Sequence, residues 1–147
     1  MIEVYTDGSC LGNPGNGGWA FLVNNNGKIS SRSGYCIDTT NNQMELTAAI
    51  KALEYLQKFD EISIFTDSNY LKNGIITWIK NWKENNWVNA SKKPVKNKYL
   101  WEKLDHLNSL KKIDWNWVKA HDSNELNNKV DVLARRSAEN LTESSFN

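Results

Sequence analysis

"VYTDGSCLGNPGNGGW", Val4 to Trp19, opens as a strand, reaches a carboxylate at Asp7 and runs at once into a segment that holds five of the chain's eight glycines. Ile2, Val4 and Thr6 alternate with Glu3, Tyr5 and Asp7, the two-residue period of a β-strand. A second stretch repeats the order. "IFTDSN", Ile64 to Asn69, also runs apolar, aromatic, Thr, Asp, small residue. If the two strands lie parallel and adjacent, Asp7 and Asp67 meet at their carboxyl ends, where open α/β sheets place ligands.

Working outward, "GWAFLVN" (Gly18 to Asn24) and "ISSRSGYCI" (Ile29 to Ile37) are joined by "NNGK" and read as two further strands of a meander. Asn-Gly between apolar runs is a strong hairpin signal. "TTNNQMELTAAIKALEYLQKF" (Thr39 to Phe59) carries apolar residues at Met44, Leu46, Ala49, Ile50, Leu53 and Leu56, the pattern of an amphipathic helix. "EISIFTDS" is a fourth strand, residues 68 to 105 read as broken helix with a stop at Gly74, "IDWNWVK" (Ile113 to Lys119) is a fifth strand, and a last helix carries Leu126, Val130, Leu133 and Ala134. This order predicts an α/β fold with a five-stranded mixed sheet and helices on both faces. One domain over residues 1–141 is expected, with 142–147 a short polar tail.

No window approaches the roughly 18 consecutive apolar residues of a membrane span, and the N-terminus lacks the basic-then-apolar pattern of a signal peptide. A soluble, cytoplasmic chain is expected. Cys10 and Cys36 match no zinc-site or redox spacing and read as two buried thiols. The net charge of +1 conceals segregation. Residues 1–71 carry 4 basic and 8 acidic side chains, residues 72–103 carry 8 and 2, and residues 104–147 carry 6 and 7. A basic block beside acidic regions suggests a polyanion partner held by one part of the molecule while acidic chemistry proceeds elsewhere.

Two adjacent ionised carboxylates repel, so Asp7 and Asp67 must share a proton or hold a cation. Oxygen ligands without nearby thiols or paired histidines favour Mg²⁺. Glu45 stands in the first turn of the first helix and Asp131 on the last helix, each one step off the apolar stripe and able to point toward the strand ends. Any one of these acids read singly is an ordinary solvated or helix-end carboxylate. Four together, on four separate elements, form the donor set of a two-metal phosphoryl-transfer site.

The residues also carry a family resemblance. "TDGSCLGNPGNGGW", "TTNNQMELTAAIKAL", "FTDSNY", "GIITWIKNWKENNW", "KKPVKN" followed by "LW", and "WVKAH" with an Asp ten residues later resemble, in one unbroken order from about Ile2 to Arg136, bacterial type 1 ribonuclease H. The resemblance implies a monomeric endonuclease, without an obligate protein partner, that cleaves the RNA strand of RNA–DNA hybrids and leaves 3′-hydroxyl and 5′-phosphate ends. It places the metal ligands on Asp7, Glu45, Asp67 and Asp131, holding two Mg²⁺ ions with Mn²⁺ as the alternative, and gives His121 an auxiliary part in proton relay or product release.

It further places Cys10, Asn13, Asn41, Asn42 and Gln43 against the minor groove, where 2′-hydroxyls distinguish RNA from DNA. Thr40 and Asn81 match positions that hold a DNA phosphate, and Asn69 joins the substrate-binding set. Lys72, Lys80, Lys83, Lys92, Lys93, Lys96 and Lys98, interleaved with Trp78, Trp82 and Trp87, resemble a basic protrusion that grips the DNA backbone. The chain departs from the family pattern at the less basic "ENNWVN" (84–89), at Gln43 in place of Arg, at Ala120 before His121 and at Asn128 in place of Glu; altered affinity or metal preference is expected. Transposases, integrases and resolvases share the fold class. The rival readings are a non-catalytic hybrid-binding module, which predicts a degraded acid set, and an excised nuclease portion of a reverse transcriptase.

Overall fold

A computed structural model describes residues 2–119 and 124–147. Strand β1 (Ile2–Cys10) turns into β2 (Gly15–Asn25) and β3 (Lys28–Thr39), then α1 (Asn41–Tyr55), β4 (Glu61–Thr66) and α2 (Asn69–Asn73). A π-turn over Gly74–Trp78 leads into α3 (Ile79–Glu84), followed by α4 (Lys98–Ser109), β5 (Lys112–Trp117), α5 (Glu125–Asn140) and β6 (Ser144–Phe146). The sheet runs β5-β4-β1-β2-β3-β6, antiparallel from β1 through β6 and parallel where β1 meets β4 and β4 meets β5. The repeated Thr-Asp strands are therefore parallel neighbours, with Tyr5 opposite Phe65.

Alternation along the strands divides the core. Val4, Phe21, Val23, Ile62 and Ile64 pack on one face with α1 and α4, through Leu46, Leu53, Trp101 and Leu104. Tyr5, Ala20 and Leu22 face the other way and pack with Val130 and Ala134 of α5. Each fully buried large side chain contributes about 1.5–3 kcal/mol. Covered on both faces, the sheet leaves its strand ends as the place where polar side chains can converge.

Three features differ from the sequence expectations. Among the described residues the sheet has six strands instead of five, because part of the expected tail, Ser144–Phe146, pairs antiparallel with Ser31–Ser33. A hydroxyl chain holds it there, since Ser33 Oγ contacts Ser144 Oγ and accepts from Ser137 Oγ at 2.8 Å. The β1–β2 hairpin continues past Asp7, with Gly8 opposite Trp19 and Cys10 opposite Gly17, so the loop proper shrinks to residues 11–14. The helix does not close at Gly74, which keeps right-handed helical backbone (φ −64°, ψ −47°) and passes beneath Trp101.

Candidate active site

Asp7 leaves β1 beside Asp67, which follows β4, and the two glycine-flanked helices bring in the other acids. A Cβ on Gly8 would overlap the Met44 carbonyl carbon and the Glu45 nitrogen, and one on Gly18 would overlap the Ala134 carbonyl oxygen. Only glycine at these places lets α1 and α5 seat against the strands. Gly8 and Gly18 of the opening segment thus set helix–sheet distance. As a result the Gly8 N–H donates to Glu45 Oε1.

Thr40 caps α1. Its Oγ1 accepts from the Gln43 N–H at 3.1 Å, which starts the helix at the register that aims Glu45 inward. Asn13 Oδ1 accepts from the Asn41 N–H at 3.1 Å and ties the glycine turn to the same helix end. Ser68 caps α2 by accepting from Leu71 N at 3.1 Å, fixing the chain directly after Asp67.

Asp7, Glu45 and Asp67 each present a carboxylate oxygen, and these atoms lie within 4.8 Å of one another. Asp7 and Glu45 are buried, at 6% and 4% exposure. Asp131 on α5 is a side-chain hydrogen-bond partner of Asp7 and pairs outward with Arg135 at 3.4 Å. All four line an open cleft of about 350 Å³ together with Asn41, Asn42, Asn69 and Tyr70. The carboxylates foreseen from the sequence are therefore assembled in one place.

Burial first, then the charge of Glu45 and its hydrogen bond, and then Asp67 and Asp131, push Asp7 up to about 11 from an ordinary 3.8. Burial also raises Glu45, to about 7, against the opposing hydrogen bonds from Asp7, Gly8 and Ser68. Crowded and desolvated, the Asp7–Glu45 pair holds on to a proton that isolated carboxyls would release. Such an arrangement is electrostatically incomplete by itself: oxygen-only donors, crowded and desolvated, are completed by a hard divalent cation. The residues present fit Mg²⁺ or Mn²⁺ on that ground.

The remaining expected residues divide into groups. Cys10 is half-buried and free, its Sγ 3.3 Å from the Thr39 carbonyl oxygen, and Cys36 is likewise free and half-buried. Gln43 has its side-chain amide engaged at both ends, accepting from Thr39 Oγ1 at 2.7 Å and donating to Asn97 Oδ1 at 3.1 Å. Trp78 and Trp82 join Tyr70, Trp87 and Trp101 in one aromatic cluster, with ring centroids 5.3–6.5 Å apart. Asn81 is exposed on α3, and Lys83 pairs with Asp105 at 3.2 Å. Lys92, Lys93 and Lys96 are exposed on or beside a small hairpin closed by the Val88–Pro94 bridge. His121 and Ala120 lie outside the described residues.

Tyr70 and Asn97 were not foreseen. Tyr70 reads as one more apolar position of a helix start; Asn97, at φ 60°, is a left-handed entry to α4 that Asn tolerates, and a Lys-Asn pair before a helix was its only sequence signal.

Fold and site together define a carboxylate centre of the kind that hydrolytic nucleases use. The family model for RNase H matches residues 1–139. A protein named Ribonuclease H from Francisella philomiragia is 51% identical over 141 residues, covering 96% of this chain and 93% of its own length. The crystal structure of LC9-RNase H1, described as a type 1 RNase H with the type 2 active-site motif, superposes with a TM-score of 0.84 at 29% identity, over 97% of this chain and 74% of that one. A foamy viral protease-reverse transcriptase, solved in complex with an RNA/DNA hybrid, shares the fold at a TM-score of 0.83 and 23% identity, over 95% of this chain and 20% of that one. The chain belongs to the RNase H family.

Proposed function

We propose that the protein is an endonuclease that hydrolyses the RNA strand of RNA–DNA hybrids with divalent metal, leaving 3′-hydroxyl and 5′-phosphate ends. The single observation that carries this reading is the triad of Asp7 and Glu45, both buried, with half-buried Asp67, whose ligand atoms fall within 4.8 Å of one another. Membership of the RNase H family supports the substrate class.

Asp7, Glu45, Asp67 and Asp131 are the residues to hold two Mg²⁺ ions, with Mn²⁺ as a substitute. Bound there, the ions supply Lewis acidity that activates a water for attack and stabilises the departing oxygen. The chain's own contribution is positional. Gly8 and Thr40 fix Glu45; the parallel pairing of β1 and β4 fixes Asp7 against Asp67. Asp7 and Glu45 would hold a cation as carboxylates, so the proton that the pair retains without metal would be given up to solvent on loading.

Asn41, Asn42 and Asn69 line the cleft, where their amides are suited to read 2′-hydroxyls in the wide minor groove of a hybrid. Cys10 and Asn13 are tied to the start of α1, Cys10 through the Thr39 carbonyl and Asn13 through the Asn41 N–H. Lys92, Lys93 and Lys96 grip the DNA strand through its phosphates, a contact without sequence preference. His121 assists proton relay or product release, and the enzyme acts as a cytoplasmic monomer.

Strand-labelled RNA–DNA, RNA–RNA and DNA–DNA duplexes, incubated with and without Mg²⁺, test the reading. RNA cleavage confined to the hybrid and dependent on Mg²⁺, and absent in Asp67→Asn, is expected. A protein that binds hybrids without metal and never cuts them contradicts it.

A further inference from the structure

The Gln43 amide belongs to a hydrogen-bond ladder that runs from the start of α1 to Tyr70, in the wall of the acidic cleft. Thr39 Oγ1 donates to Gln43 Oε1 at 2.7 Å, Gln43 Nε2 donates to Asn97 Oδ1 at 3.1 Å, and Asn97 Nδ2 donates to the Tyr70 hydroxyl at 3.0 Å. Trp101 Nε1 donates to the same hydroxyl at 3.0 Å. Both amides use both ends, and all bonds run in one sense, so neither side chain can turn without breaking two of them.

From Tyr70 the connection continues through rings. Tyr70 meets Trp78 at 5.5 Å, Trp78 meets Trp82 at 5.9 Å and Trp82 meets Trp87 at 5.9 Å. The Trp87 carbonyl accepts from the Val95 N–H at 3.1 Å, at the base of the hairpin that carries Lys92 and Lys93. Asn97 itself directly follows Lys96 in the chain. At the other end, Gln43 stands two residues before Glu45, and Tyr70 lines the acidic cleft. A continuous set of hydrogen bonds and ring contacts thus spans from Tyr70 at the wall of the acidic cleft to the base of the lysine hairpin.

We infer that Gln43 and Tyr70 are positioning residues that hold the lysine hairpin at a fixed distance from the acidic cleft, and so determine which RNA phosphodiester is cut for a given grip on the DNA strand. The inference rests on the hybrid-nuclease reading. A duplex held at two points presents one bond to the carboxylates only if the span between those points is rigid, and a displacement of an ångström is enough to lose a productive alignment. A merely stabilising ladder would leave that choice untouched.

The readout is the offset between grip and cut. End-labelled hybrids in which single DNA phosphates are replaced in turn by neutral methylphosphonates report it directly. In the parent protein, cutting at one bond falls when the phosphate at one fixed offset is neutralised. In Gln43→Leu, and separately in Tyr70→Phe, which keeps the ring and loses only the hydroxyl, the sensitivity spreads to adjacent phosphates. Cleavage at the favoured bond then falls about tenfold relative to its neighbours. Because both changes cut the same ladder, the double variant gives the pattern of either single one. A parent that leaves hybrids uncut overturns the nuclease reading and this inference with it. Variants that remain folded by far-UV circular dichroism and cut at the parent's offset overturn this inference alone.

Discussion

In the acidic cleft Asp7 and Glu45 are only 6% and 4% exposed, crowded by other carboxylates and raised in pKa, whereas Lys92, Lys93 and Lys96 stand in solvent on and beside a short hairpin. The two regions treat charge in opposite ways. Desolvated acids are costly to ionise, and that cost is what draws a compact divalent cation into one defined place. Exposed lysines cost little and attract any polyanion, which gives affinity without a choice of bond. On the proposed reading, chemistry belongs to the region where charge is expensive and holding to the region where it is cheap, and Tyr70, Trp78, Trp82 and Trp87 pack between them.

The sharpest way to break this contrast is to neutralise one acid. Asp7→Asn is expected to lower kcat about a thousandfold with little change in KM, since an amide cannot replace a carboxylate as metal ligand. His121→Ala should slow turnover far less; equal losses from the two variants, in single-turnover assays, would contradict an auxiliary role for the histidine.

Next in size is Gly8→Ala. The added methyl overlaps the α1 backbone, so the helix must move out and Glu45 loses the Gly8 N–H. A loss of about 1–3 kcal/mol in urea unfolding is expected, together with a fall in activity of about tenfold or more from displaced Glu45. An active Gly8→Ala protein of unchanged stability would show that helix–strand distance does not govern the site.

The lysine region should respond differently. Lys92→Ala, Lys93→Ala and Lys96→Ala combined are expected to raise KM with kcat intact and to flatten the salt dependence of binding, by roughly 0.9 in slope per lost phosphate contact on duplex. Loss of kcat instead would place these residues in the chemistry.

A smaller effect concerns the metal-free protein. Asp7 and Glu45 hold protons more tightly when folded than when unfolded, where 3.8 and 4.5 apply. Their contribution to stability is complete below those values and is lost as pH rises through about 7 for Glu45 and toward about 11 for Asp7. Metal-free protein should therefore melt lower at pH 8 than at pH 5, and Asp7→Asn should flatten that slope while raising the melting point at pH 8 by about 5 °C. Added Mg²⁺ should recover stability in the parent more than in the variant.

Much of the site was legible in the sequence because its signals are local. A Thr-Asp ending on two strands requires only parallel pairing to bring Asp7 and Asp67 together, and the pairing observed, Tyr5 opposite Phe65, does so. Glu45 and Asp131 were placed by helical periodicity. What escaped depends on contacts far apart in the chain. Three residues of a polar tail carry no alternation, and β6 pairs with β3 where Ser33, itself accepting from Ser137 of α5, meets Ser144. The Gln43 partner Asn97 stands 54 positions on, and nothing near Gln43 in the sequence announces it. Gly8 and Gly18 were visible, yet what they admit, the backbones of α1 and α5, is decided only by tertiary packing.

The measurement closest to the central claim is anomalous diffraction from crystals of the protein soaked in Mn²⁺. The account predicts a strong peak coordinated by oxygens of Asp7, Glu45 and Asp67, with any second ion beside it and toward Asp131. A protein that cuts hybrids with Mn²⁺ while its anomalous peaks lie away from these carboxylates would contradict it.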